Sequence, residues 1–357
     1  MAVRVRFAPS PTGSLHLGNA LTATANRRFA DERGGLLVLR IDDTDATRTV
    51  AGGEEAILQD LAWLDIGFEE GLVRQGERGE LYAAAAARSI EANAAEHDSE
   101  GAVRLRGGGV TLLRPDGTAT YQLASVVDDL ALAITHVLRG SDHRPNLELQ
   151  RRIARALDGE LPEVIHHGLV LGPDGKKLSK RHGHASIADL RDEGFPPKGV
   201  RAYLDELGLP EHDVQLDLAR LRRLAIDAIA AMSDDELASA AEAPIEAVPA
   251  LRGARSLVEA REYARLVIAP AAAGLSEDAH PTLERFVQLR ATGPDHLSAD
   301  DSRLVLRELK AVGGDLRALR LALTGAAKGP ELWSVLVAVP RDEALARASR
   351  VFPGLST

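Results

Sequence analysis

Two strand-like runs, separated by one helix's length of chain, commit the N-terminus to a parallel sheet. Val3-Arg4-Val5-Arg6-Phe7-Ala8 alternates apolar and polar residues and runs into Pro9-Ser10-Pro11-Thr12-Gly13, a dense turn signal. A helix is predicted from about Leu17 to Arg33, closed by Gly34-Gly35. Leu36-Leu37-Val38-Leu39-Arg40-Ile41 then reads as a buried strand ending in Asp42-Asp43-Thr44-Asp45. Strand, helix and strand with a short return make a βαβ unit, which closes as parallel neighbours. Ligands in such sheets sit at the carboxyl ends of the strands. The Pro/Gly turn and the acidic turn are two such ends.

Further along, residues 79–97 read as an alanine-rich helix, and residues 102–114 as two short strands around Gly107-Gly108-Gly109. A strand is expected from Ala133 to Arg139, a helix at about 146–157 and a strand over 164–171 that ends at Gly172-Pro173-Asp174-Gly175. Ile57, Leu58, Leu61, Trp63 and Leu64 have the spacing of a helix core. Beyond about residue 212 the pattern is helical, broken by Pro and Gly. The fold class expected is therefore α/β, a Rossmann-like parallel sheet over residues 1–210, followed by an all-α domain over 211–357.

A chain of 357 residues, 45% hydrophobic and 27% charged, has an ordinary globular balance and room for two or three domains. It holds no apolar run near the roughly 20 residues that span a bilayer, and begins without a signal-peptide core. No membrane partner and a cytoplasmic location are expected. With no cysteine, disulfides and thiolate zinc sites are excluded. A net charge of −10 argues against indiscriminate nucleic-acid binding, although local basic patches set phosphate affinity. Arg220, Arg222 and Arg223 read first as a solvated helix face.

The chemistry is written in two places. Ser14-Leu15-His16-Leu17-Gly18-Asn19 sets a His-x-Gly at the mouth of a helix, where exposed N–H groups and the dipole suit phosphate. His16 can donate to phosphate oxygens there, and Gly18 lets a flat base approach. Alone this is weak, since a histidine capping a helix is common. Its company is Lys177-Leu178-Ser179-Lys180. The chain has only six lysines among its 43 basic residues, and Lys176, Lys177 and Lys180 fall within five positions. Compact ammonium groups on a loop can neutralise a departing pyrophosphate. Neither segment has the Gly-x-x-x-x-Gly-Lys pattern, which disfavours a P-loop nucleotidase.

A His-x-Gly followed far along the chain by Lys-x-Ser-Lys resembles the double signature of class I aminoacyl-tRNA synthetases. The flanking Arg6-Phe7-Ala8-Pro9-Ser10-Pro11-Thr12-Gly13, Arg40-Ile41-Asp42-Asp43-Thr44-Asp45, Tyr121 with Val126-Val127-Asp128-Asp129, and Ile134-Thr135-His136-Val137-Leu138-Arg139-Gly140 are similar to the glutamyl branch. So is Leu171 through Gly183. The likeness covers residues 3–82 and 104–209 well, and Leu316–Leu336 is similar to the end of a bacterial anticodon-binding region.

The resemblance implies the roles. His16, Gly18, Lys177 and Lys180 are the expected catalytic residues. Pro11, Thr12, Asp142, Leu178 and Ser179 join His16, Gly18 and Lys180 around ATP. Arg6, Ala8, Ser10, Asp42, Tyr121, Ser125 and Arg139 are expected to hold the amino acid, with Arg6 and Arg139 on its side-chain carboxylate and Asp42 on its ammonium. Arginine suits that task because its planar fork binds a carboxylate bidentately. The implied substrates are L-glutamate, ATP with Mg²⁺ and tRNA, with tRNA-Glu the expected acceptor. No zinc is expected, and the protein is expected to be a monomer.

Four departures stand out. The family's usual glutamate before Asp-Thr-Asp is Asp42, its usual asparagine after the tyrosine is Ser125, and Arg-Gly-Glu-Asp-His reads Arg139-Gly140-Ser141-Asp142-His143. The insert that normally cradles the tRNA acceptor end is reduced to the stretch 83–120. The shortening leaves a second expectation open, a paralogue that passes its adenylate to a modified tRNA base or a small molecule. A non-enzymatic subunit is disfavoured by the retained His16, Gly18, Lys177 and Lys180.

Overall fold

A computed structural model describes residues 2–45, 47–176, 178 and 186–351. Its first unit comprises residues 1–191 and 200–218, its second residues 192–199 and 219–357.

In the first unit, strands β1 (Arg4–Phe7), β2 (Leu36–Ile41) and β3 (Glu70–Arg74) lie on one side of the sheet. Later strands β7 (His136–Gly140) and β8 (Glu163–His167) lie on the other, giving the order β3-β2-β1-β7-β8, all parallel. Helix α1 (Leu17–Asp31) crosses from β1 to β2. It stops two residues short of Arg33, and Gly34 takes φ +58°, the left-handed turn that a bulky residue resists. Val5, Phe7, Leu37, Leu39 and Ile41 are buried on one face of the sheet and Val38 on the other, which accounts for the near-continuous apolar run of β2. Edge strand β3 escapes the sequence reading because Glu70-Gly71-Leu72-Val73 has no clean alternation.

Helix α2 (Gly53–Trp63) buries Ile57 and Leu61, and Leu64 just beyond it, as the spacing required. The alanine-rich stretch is shorter than expected. Helix α3 (Gly79–Glu91) ends at Ala92, Asn93 turns at φ +56°, and residues 95–97 become strand β4 (Ala95–His97). Strands β5 (Val103–Leu105) and β6 (Val110–Leu113) complete a three-stranded antiparallel sheet where a two-stranded hairpin was expected. Its apolar face packs with α3, α4 (Tyr121–Ala131) and α5 (Leu147–Ala156) around Tyr82, Leu112, Leu123 and Ile153.

The strand expected over 164–171 is two pieces. β8 ends at His167, and β9 (Val170–Leu171) turns away to pair with β10 (Val214–Gln215), a strand beyond the point where only helices were expected. Gly168 is the reason. A Cβ there would lie 1.9 Å from the His212 carbonyl oxygen, and its N–H donates to the Pro210 carbonyl. Helices α6 (Ile187–Asp192) and α7 (Pro197–Leu207) follow the lysine-bearing stretch.

The second unit contains α8 (Leu218–Ala230), α9 (Asp234–Ala240), α10 (Val248–Leu251), α11 (Leu257–Ile268), α12 (His280–Ala291), α13 (Ala299–Ala311), α14 (Leu316–Thr324), α15 (Leu332–Ala338) and α16 (Arg341–Val351). Ser233, Ser256, Ser298 and Asp315 each accept from the backbone N–H of the second or third residue of the helix that follows, satisfying donors the helix cannot. One core gathers Leu283, Phe286, Leu309, Leu319, Leu323, Val335 and Leu336. No described helix is long and apolar enough to cross a membrane.

Candidate active site

Neighbours in a parallel sheet share parity, so the register puts Arg6, Ala8, Arg40, Asp42, Arg139 and His166 on one face. These residues lie toward the carboxyl ends of β1, β2, β7 and β8. Helix α4 supplies Tyr121, Ser125, Asp128 and Asp129, and α5 supplies Gln150.

The buried arginines on this face are of two kinds. Arg40 is 1% exposed and fully matched. Its Nε and Nη2 reach the two oxygens of Asp42 at 2.7 and 3.2 Å, and its Nη1 reaches Asp129 at 2.9 Å. Burial opposes its charge, but Asp42, Asp129 and Asp128 outweigh that and raise its pKa. Arg6 donates from Nε to the same Asp129 oxygen at 3.2 Å. Asp128, wholly buried, takes Gln75, Arg78 and the Tyr82 hydroxyl at 2.7, 2.7 and 2.9 Å.

Arg139 is different. Its Nη1 donates to the Gln150 side-chain oxygen at 2.9 Å and its Nε to His166 Nε2 at 3.3 Å. Its Nη2 is buried and makes no hydrogen bond, and no carboxylate of the described residues lies within ion-pair distance. Burial, followed by repulsion from Arg6, lowers its pKa, with Tyr121 and Asp129 acting the other way. Burial, then Arg139 and Arg144, push His166 down to about 4, so near neutral pH the ring is uncharged and can accept from Arg139. A guanidinium held by two neutral partners, with one donor unspent, favours an anion.

The other expected amino-acid ligands are near but occupied to different degrees. The Asp42 carboxylate already holds Arg40, and its N–H donates to the Pro9 carbonyl, joining the ends of β1 and β2. Ser125 is buried and its hydroxyl donates to the Tyr121 carbonyl at 2.6 Å. The Tyr121 hydroxyl lies 3.3 Å from His143 Nδ1. Ala8 and Ser10 are half-buried beside the turn.

That turn is tightly held. Thr12 donates to the Ser10 carbonyl, Val50 donates to the Pro11 carbonyl, and Gly53 leaves room for Pro11, whose oxygen would be 2.3 Å from a Cβ. His16 sits at the N-cap of α1 with extended backbone. A Cβ on Gly18 would meet nothing within 4 Å, so the surface over the first turn of α1 is open. Asp142 is exposed in the 3-10 turn after β7, with its Oδ1 2.6 Å from where a Cβ on Gly140 would be. Lys177, Ser179 and Lys180 lie outside the described residues. Leu178 between them is buried, and its N–H donates to the Val170 carbonyl.

The model of the family described as class I tRNA synthetases (E and Q), catalytic domain, matches residues 2–107 and 98–222. A glutamate–tRNA ligase 1 of a Methylobacterium species is 31% identical across 97% of this chain and 98% of its own length. The chain belongs to the class I glutamyl-tRNA synthetase family. As a member of that family it is an aminoacyl-tRNA ligase. The alignment with the Methylobacterium ligase runs over 464 positions against 357 residues here, so the relative carries segments this synthetase lacks. The two family-model matches meet at residues 98–107, within the expected reduced insert. A glutamate–tRNA ligase 1 of Rubrobacter xylanophilus is 45% identical over 250 residues, 63% of this chain and 58% of that one. A solved glutamate tRNA ligase from Elizabethkingia meningosepticum superposes with a TM-score of 0.79 over the whole of both chains at 20% identity, a likeness of fold.

Sequence reasoning gave no role to Arg40, Asp60, Gln150 or His166, and noted Asp128 and Asp129 only as part of a resemblance. Arg40 had a signal, a cation inside the otherwise apolar Leu36–Ile41 strand, whereas His166 shares its strand with Glu163 and His167.

Proposed function

We propose that this synthetase condenses L-glutamate with ATP to form glutamyl-adenylate and transfers the glutamyl group to the 3′ end of tRNA-Glu. The observation that carries the reading is Arg139, buried, cationic and without a carboxylate among the described residues. The side-chain carboxylate of glutamate matches that unspent donor in charge, with Arg6 and the Tyr121 hydroxyl as further donors. Asp42 serves the ammonium by its remaining lone pairs; burial raises its pKa, and Arg40 acts against that.

The α-carboxylate then attacks the α-phosphorus of ATP in line, the bond to the bridging oxygen breaks, and pyrophosphate leaves with the electron pair. His16 at the mouth of α1, with Lys177 and Lys180, neutralises the departing charge. The open surface over Gly18 suits adenine. No group of three or more acidic or histidine side chains among the described residues could hold a metal. Mg²⁺ is expected on the phosphates of ATP. In the second step a hydroxyl of the terminal adenosine attacks the adenylate carbonyl and AMP leaves. Residues 211–357 are assigned to the tRNA body, and the protein is assigned to the cytoplasm as a monomer.

The reduced insert supports a second reading, in which the adenylate is passed to another acceptor. ATP-dependent transfer of labelled glutamate to bulk bacterial tRNA separates the two. Base-labile label on tRNA is expected, as an ester to the terminal adenosine. Pyrophosphate exchange with glutamate but no labelled tRNA would overturn the tRNA-charging reading in favour of the second.

A further inference from the structure

The apolar face of α2 carries one carboxylate, Asp60, wholly buried among Ile57, Leu61 and Leu64. Its Oδ2 accepts from the Ser14 hydroxyl at 2.6 Å and the Leu15 N–H at 2.7 Å, and its Oδ1 from Arg191 Nη2 at 3.2 Å. Ser14 and Leu15 are the two residues before His16. Arg191 belongs to α6, the first helix after the stretch that bears Lys177 and Lys180. The two sides are also joined directly. Ser14 Oγ, whose hydroxyl donates to Asp60, accepts from the Ala188 N–H at 3.0 Å, Ile187 N–H donates to the Leu15 carbonyl at 2.9 Å, and His16 and Ser186 form a β-bridge.

A core position filled by a carboxylate costs stability unless it is fully paired. Here the pairing joins, through a single residue, the two segments whose groups must face one triphosphate. Burial raises the Asp60 pKa, while Ser14, Leu15 and Arg191 oppose that. The carboxylate therefore depends on these donors as they depend on it. Nothing else on α2 contacts both segments by hydrogen bonds among the described residues.

The geometry points to Asp60 as a positioning residue for adenylate formation: it fixes the turn carrying His16 against the helix that follows the lysine segment. Asp60 does not touch substrate. It acts through Ser14, Leu15 and Arg191, and the inference rests on the adenylation reading above. A misplacement of about 1 Å at such a site costs on the order of a hundred-fold in rate.

The test is pyrophosphate exchange in the full-length chain, with tRNA present, for Asp60→Asn and Ser14→Ala. An asparagine keeps one acceptor oxygen for Ser14 and Leu15 but offers Arg191 an amide N–H instead of an anion. Ser14→Ala breaks the relay to Ala188 in a half-buried turn while leaving Leu15 and Arg191 on Asp60. The expected result is a fall in kcat of about ten-fold to a hundred-fold for each variant, with the KM for glutamate within two-fold of the parent. The double variant is expected to lose little more than the worse single one, since both changes cut one connection. A kcat within two-fold of the parent in both variants would overturn the proposal. So would a loss fully explained by a smaller folded fraction, read by active-site titration in the same samples. Failure of the parent chain to exchange pyrophosphate with glutamate at all would instead remove the adenylation reading beneath it.

Discussion

At the scale of single residues, Arg40 and Arg139 show how one residue type on one sheet face acquires opposite energetics. Arg40 meets Asp42 and Asp129 through charge-assisted hydrogen bonds and is part of the core. Arg139 meets a neutral imidazole and an amide, and leaves one donor unspent. Removing a charge that lacks a buried counter-charge costs little stability, whereas losing the partner of a bound carboxylate costs about 2–5 kcal/mol. Arg139→Gln is therefore expected to hold its unfolding free energy within about 1 kcal/mol while kcat/KM for glutamate falls at least about thirty-fold. A urea melt beside a pyrophosphate-exchange assay checks both, and a variant that loses stability and activity together would show Arg139 to be structural. His166 adds a pH dependence. Its pKa is held at about 4 in the fold, below the ordinary 6.5, so the unfolded chain binds the extra proton between those values. Stability is then complete above about pH 6.5 and falls as the pH drops toward 4. His166→Gln keeps an acceptor for Arg139 without titrating, and should flatten that acid limb in thermal melts at stepped pH. Buried His167, also depressed, leaves part of the slope in place.

At the scale of elements, the parallel core of β1, α1 and β2 was legible because each signal lay within a few residues: an apolar run, a Pro/Gly turn, a helix ending at paired glycines. The same local reading failed where distant chain decides the outcome. Glu70–Arg74 is a strand because β2 offers it an edge, and Ala95–His97 leaves the alanine-rich helix because β5 pairs with it. The site divides the same way. His16, Gly18 and Arg139 were readable from motifs, while Asp60 and His166 matter through partners up to 131 positions away, which no local spacing encodes. Gly168 is the sharpest case. It lets β8 end and β9 turn aside only because the 210–214 segment passes where its side chain would be. Gly168→Ala is expected to displace that segment, unpair Val170 from Val214 and cost about 1–3 kcal/mol. The reading is a lower urea midpoint with an unchanged slope. An unchanged midpoint would mean that the 210–214 segment yields freely.

At the scale of the whole molecule, the chain holds separate apolar cores in its two compact units. In the first unit, residues Tyr82, Leu112, Leu123 and Ile153 form one of them, and in the second Phe286, Leu319, Val335 and Leu336 form another. Every described residue expected to touch glutamate or ATP belongs to the first unit. A ligand stabilises whatever must be folded to bind it, by about 2.7 kcal/mol at a concentration a hundred times its Kd. Cores that unfold separately respond separately, so a single two-state melt is not expected. An inert analogue of glutamyl-adenylate should raise one calorimetric transition by roughly 5–10 °C and leave the other within a degree. The transition that moves should lose its response in Arg139→Gln, because that variant removes the charge the analogue's carboxylate needs. Both transitions rising together would mean that the second unit's core cannot unfold without the first, and that the proposed division of labour between the two units has no thermodynamic counterpart.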